Sequence, residues 1–273
     1  GAILGWRDGT TDLLRHASPA AALNGDVRAA GCFPLLPYAN RIAQGRFAWD
    51  GHTHRLARNF GDHPHAIHGV GWQRDWQVSR VGPDRVTLTL SHDAAGPAAD
   101  AWPFAFDATL DYAVQPDGLT IGLSLTNRHE AAAPAGFGLH PYFPRTPGST
   151  LQFVAGGVWQ NDATALPVRH VAMPSEWDHA TPRPVGSLPL DNAFTGWNGQ
   201  ARIYAGPASL AIEADPVFRT LQVFTPKGAD FFCVEPVTHA PDAINRPDLP
   251  PDQAMTVLAP GATLRGTVRL TQV

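Results

Sequence analysis

Apolar and polar residues alternate with a period of two along much of this chain, the pattern of a strand with one buried face. RVTLTLSHD, residues 85–93, is one such run. Two runs fold back on themselves at turn signals. RFAWDGHTHRL reads as a hairpin with Asp50-Gly51 as its two-residue turn. ATLDYAVQPDGLTIGLSLTN reads as a second, with Pro116-Asp117-Gly118 at the turn. STLQFVA, ARIYA, SLAIEA, RTLQVFTP, DFFCVE and ATLRGTVRLTQ are further strands. No window of about 12 residues shows a 3.6 period free of Pro and Gly, and the Ala-rich ASPAAALNGD is interrupted by both. About a dozen short strands bounded by turns predict an antiparallel all-β sandwich or barrel with few short helices. Residues 156–201 break the pattern. They are rich in Pro, Asp, Asn and Trp, carry few strand signals, and are expected to form a long functional loop.

Composition sharpens this picture. Gly and Pro number 26 each and are spread evenly, which favours short strands over helices. No linker or repeat divides the 273 residues, so one domain over residues 1–273 is expected. Net charge is −4 with no run of like charges, which leaves no electrostatic footprint for nucleic acid or an anionic membrane. No stretch reaches the roughly 18 apolar residues of a membrane span. GAILGWRDG lacks the basic and apolar blocks of a signal peptide, and the chain starts at glycine, which leaves a trimmed leader open. Cys32 and Cys233 lie in apolar surroundings and read as buried free thiols of a cytoplasmic protein.

Chemistry concentrates in a few segments. Glu235 follows the apolar run FFCV, where a carboxylate is either paired in a structural salt bridge or used as a base of raised pKa. His140 ends another apolar run, GFGL, and Pro141 is expected to stop strand pairing there. It reads either as a satisfied semi-buried histidine or as a proton carrier. His63, His65 and His68 have an H-x-H-x-x-H spacing, but Asp75 is the first acid after them, so no metal site is expected. Trp72, Trp76, Trp159, Trp177 and Trp197 are either core filler or a platform for a sugar ring. Phosphate-binding loops, a nucleophile elbow and C-x-x-C pairs are missing, and no cofactor is expected.

Taken together, PYANRIAQGRFAWDG, HAIHGVGWQRDWQV, GFGLHPYFP, LDNAFTGW and CVEPVTHAPDAIN resemble segments of the aldose 1-epimerase (galactose mutarotase) family, in the family's order. The resemblance runs from about residue 5 to the C-terminus. It implies a β-supersandwich that interconverts sugar anomers without metal or nucleotide. It also implies roles: Glu235 as the base on the anomeric hydroxyl, His140 as the acid on the ring oxygen, and His68 near that oxygen. Asn40, Arg41 and Asp191 match residues that bind the sugar. The run LHPYFPR departs from the Asn-His-Ser-Tyr-Phe type of galactose mutarotases, and Asp191 is followed by Asn-Ala-Phe where those members tend to have a histidine and then Asn-Phe. The expected partner is a monosaccharide, and the protein is expected as a monomer or homodimer. Two other readings stand beside this one. One is an anionic sugar, with Arg74, Arg145 and Arg169 as candidate cations; the other is a non-catalytic carbohydrate-binding sandwich.

Overall fold

The computed structural model describes residues 1–273. Two antiparallel sheets, of nine and seven strands, carry most of the chain, and short two-stranded ladders fill in between. The α-helices are two single short turns, Pro19–Leu23 and Pro97–Ala101, each opened by proline. Both predicted hairpins form. Arg46–Trp49 pairs with His52–Arg55 across Asp50 and Gly51, whose φ angles of 47° and 75° suit a turn matched to strand twist. Phe106–Gln115 pairs with Gly118–Asn127 in unbroken register, so Gly118 opens the second strand rather than sitting in the turn.

The segment 156–201 corrects the sequence reading. Gly157–Asn161, Pro167–Ala172 and Asp191–Thr195 are strands of the seven-stranded sheet. Its prolines sit where strands tolerate them: Pro167 is the first residue of its strand, and Pro184 lies on the edge strand Arg183–Pro184 of the larger sheet. The alternation is hidden there because both faces of Asp191–Thr195 are covered, so polar Asn192 and Thr195 are as buried as Phe194.

In the seven-stranded sheet the strands Asp191–Thr195, Thr220–Phe224, Phe231–Val237, Gly138–Pro144 and Cys32–Leu35 lie side by side in that order. One face sends Leu139, Phe143, Leu221, Val223, Phe232 and Val234 into a core shared with Leu110, Ile121, Ile212 and Leu270 of the nine-stranded sheet. Each such side chain contributes roughly 2 kcal/mol of apolar transfer. Side chains alternate along a strand, so the opposite face receives His140, Tyr142, Gln222, Cys233 and Glu235. Phe33, Tyr142 and Cys233 form part of a smaller apolar cluster with Trp72 on that face. Both cysteines are buried and unpaired. No helix is long and apolar enough to cross a membrane.

Candidate active site

Strand register places the site. Glu235 stands opposite Gln222, Asp191 opposite Phe224, and His140 opposite Phe33. Between Gly138 and Tyr142 the ladder to Phe231–Val237 lapses. Pro141 lies in that gap, where its missing N–H costs no bond to that neighbour. The strand does not stop at Pro141, as the sequence suggested: it pairs Pro141 with Cys32 and runs on to Pro144. His140 Nε2 lies 3.4 Å from Glu235 Oε1, with both residues buried. Thus the structure brings together the two residues that sequence reasoning singled out.

A second wall comes from the paired segments Arg41–Ile42 and Ala66–Ile67. Asn40 and His68 flank this ladder, both at positive φ (58° and 61°). They bond reciprocally: His68 N donates to Asn40 O at 2.8 Å, and Asn40 N donates to His68 Nδ1 at 3.1 Å. The Asn40 side-chain oxygen accepts from Arg41 N (2.9 Å) and Arg41 Nη1 (3.1 Å), which aims the guanidinium at Asp191 Oδ2, 2.9 Å from Nη2. Gln222 Nε2 donates to the other Asp191 oxygen at 2.7 Å. Gln222 was missed from sequence, although a glutamine inside the apolar TLQVF run is the kind of buried polar residue that needs explaining.

The three histidines of the H-x-H-x-x-H run do not converge on a metal. Nδ1 of His63, His65 and His68 each accepts a backbone N–H, from His65, Gln44 and Asn40 respectively. A neutral imidazole that accepts at Nδ1 carries its proton on Nε2, so none of the three offers the free lone pair a metal needs. His65 is buried away beside Thr164, whereas His63 and His68 line the cavity. One other cluster has ligand-like spacing: His140, Cys233 and Glu235, within 4.8 Å of one another. Burial holds the Cys233 thiol well above its ordinary range. Within the set, His140 and Glu235 stand close enough to pass a proton.

Electrostatics divides the central pair. Burial pushes the Glu235 carboxyl well above the usual carboxylate range; Asp191 adds to this and Arg41 opposes it. Burial, aided by the positive charges of Arg15 and Arg41, pushes His140 down to about 3. Burial and neighbouring cationic groups also hold His68 well below its ordinary value. Burial thus favours the uncharged form of each group, a carboxylic acid beside a neutral imidazole, with one proton between the two.

The pair faces a cavity of about 550 Å³, within the range of small-molecule sites. An aromatic column forms one side. Tyr142 stacks on His140 (ring centroids 4.6 Å apart, 12° between planes), His140 lies 4.7 Å from Phe33, and Phe33 stacks on Trp72. Trp72 is the one tryptophan in the lining. Trp197 and Trp159 are buried elsewhere, with their indole N–H groups bonded to Gln200 and Gln253. The candidate cations Arg74, Arg145 and Arg169 do not line this cavity; Arg15, Arg28 and Arg41 do. Arg15 and Arg28 escaped the sequence reading because they lie outside every motif and reach the cavity only through the packing of the N-terminal segment.

Comparison with known proteins bears on this arrangement. The family profile described as aldose 1-epimerase matches residues 1–271. The chain is 34% identical to the uncharacterized Escherichia coli K12 protein YphB, over 97% of this chain and 90% of that protein. It superposes on an Escherichia coli K12 crystal structure provisionally assigned as an aldose 1-epimerase, with TM-score 0.87 and 32% identity, covering 99% of this chain and 92% of that one. A galactose mutarotase-like protein from Clostridium acetobutylicum shares the fold at TM-score 0.76 and 21% identity, over 88% and 78% of the two chains.

Proposed function

Since the chain belongs to the aldose 1-epimerase family of carbohydrate epimerases, we propose that it interconverts the α and β anomers of an aldopyranose by acid–base ring opening and closure. The observation that carries this reading is the 3.4 Å approach of His140 Nε2 to Glu235 Oε1 on the wall of an open cavity. A binding module has no use for a buried carboxyl against a buried imidazole, because each costs desolvation.

Glu235 takes the proton from the anomeric O1–H. The C1–O5 bond breaks with its electron pair moving to O5, and His140 protonates O5. The open aldehyde rotates about C1–C2, and closure returns both protons through the same groups with roles exchanged. The reacting tautomer, carboxylate with imidazolium, holds the same single proton as the neutral pair. Arg41 stabilises the carboxylate form. His68, whose Nε2–H is free to donate, holds the ring oxygen side; Asn40, Arg41 and Asp191 hold the hydroxyls.

The test is NMR or polarimetry on freshly dissolved pure anomers, with spontaneous mutarotation subtracted. Glu235→Gln is expected to lower the catalysed rate about 10²- to 10⁴-fold, with the fold retained. Wild-type turnover in that variant rejects the mechanism.

A further inference from the structure

The charges that line the cavity do not cancel locally. Arg41 is paired with Asp191 at 2.9 Å, and Arg28 lies 3.5 Å from Asp26. Arg15 faces no carboxylate partner, and its Nε is buried without any hydrogen bond. Glu235, the remaining acid, is held toward its neutral form. The cavity therefore keeps one uncompensated guanidinium.

That guanidinium is also held in place. Nη2 donates to the carbonyls of Arg28 and of Ala30, the latter at 2.8 Å. Its plane rests on Tyr142, 3.7 Å from the ring centroid, with Phe231 at 4.9 Å. Its backbone N–H donates to Tyr142 O at 2.9 Å. A planar donor fixed in this way is prepared for an oxyanion and loses little entropy on binding one.

The order of atoms in a pyranose shows which part of the sugar meets it. Around the ring the sequence runs C2, C1, O5, C5, with C6 on C5. Across the sheet the sequence runs Asp191, Glu235, His140, with Arg15 stacked on Tyr142, two residues along the His140 strand. With Glu235 at O1 and His140 at O5, C2 and C3 extend toward Asp191 and Arg41, and C5 and C6 extend toward Tyr142 and Arg15. We propose that Arg15 anchors an oxyanion on C6, a carboxylate, phosphate or sulfonate, and that the substrate is an anionic aldose. This inference rests on the mutarotase reading above, which sets the ring's direction.

The test compares a hexose with its 6-carboxylate, 6-phosphate and 6-deoxy-6-sulfonate counterparts, as pure anomers by NMR and as ligands by calorimetry. At least one charged sugar is expected to exceed its neutral parent by about tenfold or more in kcat/KM and in affinity. The three arms identify which oxyanion it is. In Arg15→Gln that ratio is expected to collapse toward one, while Arg15→Lys restores part of it. A merely structural role for Arg15 would lower all sugars together and leave the ratio unchanged. If Arg15→Gln does not fold, the wild-type ratio decides alone. A neutral hexose bound and converted as well as all three charged sugars overturns the proposal. Failure to convert any sugar overturns the mutarotase reading instead, and calorimetry still reads the Arg15 contact separately.

Discussion

Burial acts on Glu235 and His140 in opposite directions, raising the one and lowering the other. In the proposed mechanism the competent pair holds one proton. It gains a second only when pH falls below the depressed His140 range, near 3, and loses its last only when pH rises past the elevated Glu235 range. The acid limb of the kcat/KM profile is therefore expected well below the ordinary histidine region near 6.5, and the alkaline limb above the ordinary carboxylate range. A midpoint of the acid limb near 6.5 would show that His140 is not held neutral. Arg41 is hydrogen-bonded to Asp191 and Asn40 and acts on the central pair only through its charge, so the proposal gives it mainly the sugar hydroxyls. Arg41→Ala should raise KM by about tenfold or more and lower kcat less, read from saturation curves with the preferred sugar.

At the scale of elements, the chain displays its strands best where one face is wet. The alternation of RVTLTLSHD and the hairpin turn at Asp50-Gly51 appear in the structure as read, and the second hairpin forms with a turn shorter by Gly118. Asp191–Thr195 was hidden because a strand covered on both faces does not alternate, whereas Pro167–Ala172 and Arg183–Pro184 are short, exposed edge strands whose prolines sit at starts and edges. Glu235 and His140 were legible because each is a titratable group closing an apolar run. Arg15 and Gln222 were not, because only strand register and packing bring them near the pair. The loop carrying His68 depends on one such long-range contact. Gly69 has φ 66°, and a Cβ there would lie 2.2 Å from the Leu36 carbonyl oxygen. Gly69→Ala should therefore cost about 2 kcal/mol or more and displace His68. Denaturant unfolding reads the first effect, and a rise in KM reads the second. A variant as stable and as active as wild type would show that this backbone path is not fixed.

The whole molecule carries the cost of its buried histidines as an acid sensitivity. Burial holds His140 down to about 3, His239 to about 4, and His68 well below its ordinary value. His239 is locked by structure: its Nε2 accepts from Ala39 N and its Nδ1 donates to Ala240 O. In the unfolded chain all three protonate near 6.5, whereas in the folded protein they stay neutral until lower pH. Between those values the unfolded state binds more protons, so stability rises with pH there and drains away as pH falls below 6.5. Each group should remove on the order of 1–2 kcal/mol by pH 5. Glu235 acts at the other end: it keeps its proton in the folded state above the unfolded value of 4.5, so its term weakens the fold as pH rises toward its elevated range. Denaturant midpoints measured from pH 4 to 8 should drop steeply on the acid side in the wild type. The drop should be shallower in His140→Asn, which removes one proton acceptor from the unfolded chain while leaving the other two. Parallel curves for the two proteins would mean that the imidazole of residue 140 is solvated, and the one-proton pair at the centre of the site would go with it.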